Sequence, residues 1–217
     1  MLLYVHSSFY LCWWWNSRLH ERTICSEIQK YCYFDSSLAY TRNLISTDND
    51  NYTLLLLCWN NNINQRSPIH NHPGDGCYMR VISGSIIEQL YDVKQTNTHT
   101  KTHTSDLDAM PATLKCIETN HYGTSQVAFI NDNIGYHSIG CGNVSTQAHD
   151  SSNTNASVPG AVSLHLYCPP IKQCQIVVNT MPVASDGQQQ VGNYERSRIY
   201  VRDSGPMYHH TEYGCIK

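Results

Sequence analysis

The chain has 217 residues, enough for one well-buried core and cramped for two domains. Only 14% of them are charged, against roughly one quarter in ordinary globular proteins. The net charge is −3 and no Lys/Arg cluster occurs, which excludes the footprint of a nucleic-acid binder, and no run approaches the ~18 apolar residues of a membrane span.

The ten cysteines are scattered singly without a CxxC pair, so they read as free thiols rather than a disulfide scaffold, and a cytoplasmic protein is expected. Sequons begin at Asn51, Asn143 and Asn155, but motifs this short arise by chance. Residues 1–32 form a poorly readable segment. Its apolar start lacks the basic flank and cleavage site of a signal peptide, and only 17–31 carries a helical pattern. The block YTRNL at 40–44 is placed at a strand edge, and 52–59 (YTLLLLCW) is a buried strand by its length and apolarity. A polar loop, 60–68, leads to HNHPGDGC. His70 and His72 alternate along an extended strand, so both imidazoles leave one face, as two ligands of one metal must. Pro73, Gly74, Asp75 and Gly76 make a turn, followed by strands 77–83 and 85–93 in a hairpin hinged at Gly84.

Residues 94–110 are rich in Thr, His and Lys and lack a period. His99 and His103, four apart, belong to a solvated loop there rather than to a metal-binding helix. Short strands are predicted at 114–119, 126–130 and 136–139, the last delivering His137 after a polar turn. Together, an HxH pair and a distant His form a candidate metal site. Residues 142–159 are a low-complexity loop. The stretch 161–168 alternates cleanly, with Ser163, His165 and Tyr167 on one face and Val162, Leu164 and Leu166 on the other. Further strands are expected at 174–179 and 198–202, before a polar tail over 204–217. Many short strands between Gly, Pro and Asn turns predict a mostly β domain over 33–203, a small closed barrel or jelly roll whose mouth can hold a small ligand.

HxH with a later His, set among the blocks YTRNL (40–44), LCW (57–59), AVSLHLY (161–167), PP and Cys174 in the family's order along the chain, resembles the cysteine dioxygenases of the cupin superfamily. The resemblance implies N-terminal helices beside the sheet, a ferrous ion on His70, His72 and His137, and oxidation of L-cysteine by dioxygen to cysteine sulfinic acid, a step toward hypotaurine, taurine and sulfate. It makes 60–68 longer than its counterpart and 142–159 an insertion. It also places Cys77 where ordinary cupins carry a glutamate ligand, and pairs Cys77 with Tyr167 in a thioether cross-link. Ser163 and His165 then match residues that orient the tyrosine hydroxyl. Trp59 and Cys174 match positions near the pocket without an assigned chemical role.

Three neutral imidazoles leave a divalent metal its full charge, which suits an anionic chelating substrate. Iron passes electrons between a thiolate and dioxygen, and zinc does not. Arg42 by itself reads rather as a surface residue in a salt bridge; the resemblance reverses that and makes it the bidentate clamp for the substrate carboxylate, with Tyr40 on the same face. A dioxygenase for 3-mercaptopropionate or cysteamine, or a non-catalytic metal-binding cupin module, are the alternative readings. A monomer without nucleic-acid or membrane partners is expected.

Overall fold

The computed structural model describes residues 27–48, 50–61, 66–95, 110–142, 160–179, 195–203, 210–211 and 214–215. The loop expected around His99 and His103, the 142–159 insertion beyond Gly142, most of the predicted helix at 17–31 and most of the polar tail lie outside them. Among the described residues, helix is confined to the stretch 27–31, which includes a 3-10 turn at Gln29–Tyr31. No helix among them is long and apolar enough to cross a membrane.

The strands are β1 (Tyr40–Asp48), β2 (Tyr52–Asn60), β3 (Ile69–His70), β4 (Cys77–Ser83), β5 (Ser85–Gln95), β6 (Met110–Gly123), β7 (Val127–Ile130), β8 (Tyr136–Cys141), β9 (Gly160–Tyr167), β10 (Gln173–Asn179), β11 (Glu195–Asp203), β12 (His210–Thr211) and β13 (Gly214–Cys215). They form two curled sheets. The first has the order β13-β12-β1-β2-β9-β4-β7; the second runs β10-β11-β6-β5-β8-β3 and closes on itself through the β3–β10 pairing. Apart from β1 with β12, neighbours are antiparallel, and the whole is a jelly-roll-like barrel.

The chain changes sheets twice around the HxH segment. It leaves the second sheet after His70, passes through the turn at Gly74 and Gly76, and enters the first sheet at Cys77. It returns at Gly84, so the hairpin expected there is instead a corner: β4 pairs with β9 and β7, and β5 with β6 and β8. Gly84 takes a left-handed φ of 73°, and a side chain on it would press on Ala161 and Gly160. Gly76 is tighter still, with φ 109° and the backbone oxygen of Ile130 only 2.3 Å from where a Cβ would stand. Gly76→Ala is expected to cost about 2–3 kcal/mol, read as a lower urea midpoint, because strain and clash add at one residue.

β9 is buried on both faces. Its Val162, Leu164 and Leu166 pack with Leu56 and Cys58 of β2 under a cover that includes Ile28, Tyr31 and Phe34. Its other face looks into the barrel, beside Leu55, Leu57, Trp59, Met79 and Ile139. β6 runs from 110 to 123, well beyond the predicted 114–119, because an eleven-residue ladder with β5 carries polar residues that have no apolar alternation of their own.

Candidate functional site

A cavity of about 260 Å³ opens between the two sheets. The second sheet and the segments joined to it contribute His70, His137, Ile139, Cys174 and Ile176; the first contributes Tyr40, Arg42, Leu57, Trp59, His165 and Tyr167. His72 lines it from the crossing between the sheets. No carboxylate is among its described lining residues, so the lining suits an anion.

His70 stands on β3 directly across from His137 on β8. The strand under the HxH pair is shorter than expected: it ends at Ile69–His70, and His72 lies past it. Asn71 takes over the ladder, its N–H donating to the Gln175 carbonyl at 3.2 Å and its side-chain oxygen accepting from the Gln175 N–H at 2.7 Å. This kink, with the turn after it, brings His72 inward at 2% exposure. His137 follows a turn in which the Asn131 side chain accepts the N–H groups of Asn133 and Ile134, so the polar run read from the sequence is an Asx turn aiming one histidine.

The three imidazoles converge through Nε2: His72 to His137 at 2.9 Å and His72 to His70 at 3.1 Å. The opposite nitrogens settle the protons. His70 Nδ1 donates to the Pro68 carbonyl at 2.8 Å, and His137 Nδ1 donates to Glu88 Oε1 at 2.6 Å. The Nε2 atoms of His70 and His137 are therefore bare lone pairs. His72 Nε2 carries at most one proton and cannot serve both contacts, so a cation is what the cluster fits. Separations of 2.9 and 3.1 Å also suit adjacent ligands of one ion with bonds of about 2.1 Å. Burial and mutual repulsion hold His72 and His137 well below the ordinary histidine range, and burial lowers His70 as well, so the neutral forms that bind metal are favoured at all three.

Glu88 belongs to none of the sequence motifs. It is 3% exposed and accepts hydrogen bonds from His137 and from the Tyr122 hydroxyl, the latter at 2.9 Å. Burial raises its carboxyl above the usual range. A signal for it does exist: on β5, Ile86, Glu88 and Leu90 share the inward face, so an acid sits in phase with a core stripe. Holding a ligand's Nδ1–H fixes its tautomer and ring plane. Glu88→Ala is therefore expected to weaken cobalt(II) or iron(II) binding about 10–100-fold in direct titration, with Glu88→Gln intermediate.

A second chain of contacts descends from Trp59. Its Nε1–H donates to Ser163 Oγ at 2.8 Å, leaving the serine proton to go to His165 Nε2, also at 2.8 Å. His165 then carries its proton on Nδ1, which faces Cys77 Sγ at 3.7 Å. Cys77 lies directly across from Tyr167 in the β4–β9 ladder. Burial raises both the Cys77 thiol and the Tyr167 phenol well above their ordinary ranges, so both are protonated. The array thus reaches the tyrosine through sulfur, with Trp59 as its anchor. Trp59 also stacks on Tyr40 at 4.5 Å between ring centres. Arg42 lines the same cavity as these groups and the histidines, and its charge acts on Tyr40, Tyr167, Cys174 and His70.

Burial holds His165 down to about 3 from 6.5. Between those values the unfolded chain holds a proton the folded one lacks, so this contribution to stability is present above pH 6.5 and is lost as pH falls toward 3. Urea midpoints between pH 6.5 and 4.5 should fall in the metal-free protein, and less steeply in His165→Gln.

The family model described as cysteine dioxygenase type I matches residues 20–178. The chain is 31% identical over 144 residues to cysteine dioxygenase type 1 of Rattus norvegicus, covering 66% of this chain and 58% of that protein. It is 30% identical over 146 residues to the protein of that name from Danio rerio, covering 67% and 59% respectively. With the one from Homo sapiens it shares 30% identity over 149 residues, covering 69% and 60%. The matched stretch spans about three fifths of each relative.

Proposed function

This chain belongs to the cysteine dioxygenase type I family, and on that premise we propose that it oxidises L-cysteine with dioxygen to cysteine sulfinic acid, using ferrous iron held by His70, His72 and His137. The observation that carries the reading is one cavity on which three neutral, Nε2-presenting histidines, Arg42 and Tyr167 converge. Ferrous iron supplies the one-electron chemistry that a thiolate and dioxygen need to react.

The protein's own groups bind and orient the substrate. Arg42 takes the carboxylate in a two-pronged grip, and its charge complements an anion in a cavity lined by no described carboxylate. Tyr40, stacked on Trp59, forms the wall beside it. Tyr167, protonated in its buried setting, is a hydrogen-bond donor to the substrate side of the cavity. Trp59, Ser163 and His165 hold Cys77 and Tyr167 in place through a chain in which each proton has one direction. The cavity lies below the ~300–1,000 Å³ range of drug-sized sites, as an amino-acid-sized substrate requires.

Cys77 and Tyr167 are also proposed to join in a thioether during turnover. The S–H and one ring C–H are lost, a C–S bond forms, and two electrons and two protons pass to dioxygen. Their direct cross-strand pairing supports this. Intact mass should fall by two hydrogens, with the two peptides joined and resistant to thiol reductant; active enzyme without such a peptide overturns the cross-link.

Purified protein loaded with ferrous iron should consume one dioxygen per cysteine, and zinc-loaded protein none. The absence of a described carboxylate to meet the substrate ammonium keeps 3-mercaptopropionate as the second reading. Comparing kcat/KM for cysteine, 3-mercaptopropionate and cysteamine decides between them. Preference for cysteamine, which has no carboxylate, sinks the Arg42 assignment. Tightly held zinc with no oxygen uptake under any loading identifies a binding module instead.

A further inference from the structure

Behind the β1–β2 wall, on the side turned away from the cavity, two thiols meet. Leu57 and Trp59 of β2 line the cavity, so the alternating Cys58 faces outward into the cluster covered by Ile28, Tyr31 and Phe34. The sulfur of Cys32, an exposed residue following the 3-10 turn, lies 3.8 Å from that of the fully buried Cys58. We propose that Cys32 and Cys58 form a dithiol site that low-molecular-weight disulfides oxidise to an intramolecular disulfide, pinning residues 27–34 to the back of β2.

The surroundings of Cys58 are not those of a thiol that merely fills space. The Asn43 amide, itself 0% exposed, donates toward its sulfur at 3.4 Å and toward Thr41 Oγ1 at 3.2 Å. Both Asn43 and Thr41 also donate to the Tyr33 carbonyl, holding the residue after Cys32 against the same wall. The hydrogen bond between the two thiols brings the Cys32 thiol down to about 7, while the same bond and burial push Cys58 up. The thiolate is therefore on the exposed sulfur, where an attacking group is needed.

The electron balance closes with cystine as oxidant. The Cys32 thiolate attacks one cystine sulfur, its S–S bond breaks, and one cysteine leaves. Cys58 then gives up its proton, and its sulfur attacks that of Cys32 and displaces the second cysteine. Two protein thiols lose two electrons, and one cystine becomes two cysteines. Closing from 3.8 Å to a bond of about 2.05 Å takes side-chain rotation and a small shift of the 3-10 turn.

The test uses the full chain, cystine and no dioxygen, so catalytic turnover plays no part and failure here is distinct from failure of the dioxygenase reading. Mapping without reductant should find the Cys32 and Cys58 peptides joined, two hydrogens lighter and separable by dithiothreitol. The unfolding midpoint should rise by about 5–10 °C, as expected for closing a loop of this length. Cys58→Ser should stop at Cys32 carrying one cysteinyl group, and Cys32→Ser should leave Cys58 unmodified. Cys116, also exposed, serves as the internal control for reagent access. The proposal is overturned if Cys116 is modified while Cys32 stays reduced, if wild-type Cys32 keeps its cysteinyl group, or if Cys32 pairs with another cysteine.

Discussion

His72→Ala is expected to weaken metal binding at the histidine cluster by about 10²–10³-fold and, on the proposed function, to take oxygen uptake with it. His72 alone contacts both other ligands through Nε2, at 2.9 and 3.1 Å. Structural sites of four ligands yield apparent binding free energies of about 10–16 kcal/mol, or about 2.5–4 kcal/mol per ligand. Losing one ligand therefore weakens binding by about 10²–10³-fold. Metal that binds only the folded state raises the unfolding midpoint, so the cleanest readout is the shift on adding iron(II) or cobalt(II): large in wild type and absent in the variant. The metal-free variant is expected to fold, because His72 Nδ1 has no hydrogen-bond partner to lose. A variant that keeps the full metal-induced shift would mean the ion binds elsewhere.

On the proposed function, Arg42→Ala is expected to lower kcat/KM for cysteine by about 2–4 kcal/mol, roughly 30- to 1,000-fold, and to leave the rate with cysteamine nearly unchanged. The contrast is decisive. Both substrates offer a thiol and an amine, and only cysteine has the carboxylate that the guanidinium would hold. Arg42→Lys restores the charge without the fork, so it should recover part of the loss, seen mainly in KM. Equal losses for both substrates would show that Arg42 shapes the cavity through packing or through the field it exerts on Tyr40, Tyr167 and His70. Metal content measured in the same preparations separates that outcome from damage to the histidine cluster.

Much of the frame is legible in the order of the residues. The run at 52–59 reads as a buried strand from its apolarity, and β9 from alternation that sends Ser163, His165 and Tyr167 one way and Val162, Leu164 and Leu166 the other. Period-two patterning and turn chemistry are local, so a single chain displays them. The paired histidines and the turn before His137 are visible for the same reason. Less legible is the hinge at Gly84. A glycine with positive φ serves a hairpin and a sheet-to-sheet corner alike, and only the partners of β4 and β5 distinguish them.

What tertiary structure alone decided is who meets whom. Closure of the second sheet sets His70 across from His137, 67 positions apart, a pairing no local pattern encodes. The crossing after His70 carries His72 off its strand and into the gap between the sheets. Glu88 acquires its role because β5 lies beside β8, and Trp59 because β2 lies beside β9, where it reaches Ser163 at 2.8 Å. Cys32 and Cys58 touch because the stretch 27–34 folds over the outside of the barrel. The sequence by itself determined which faces are apolar, where the chain turns and which side chains can bind a metal, since these follow from residue chemistry and a two-residue period. The partners of those side chains depend on strand order and sheet closure, which are settled by burying all those faces at once.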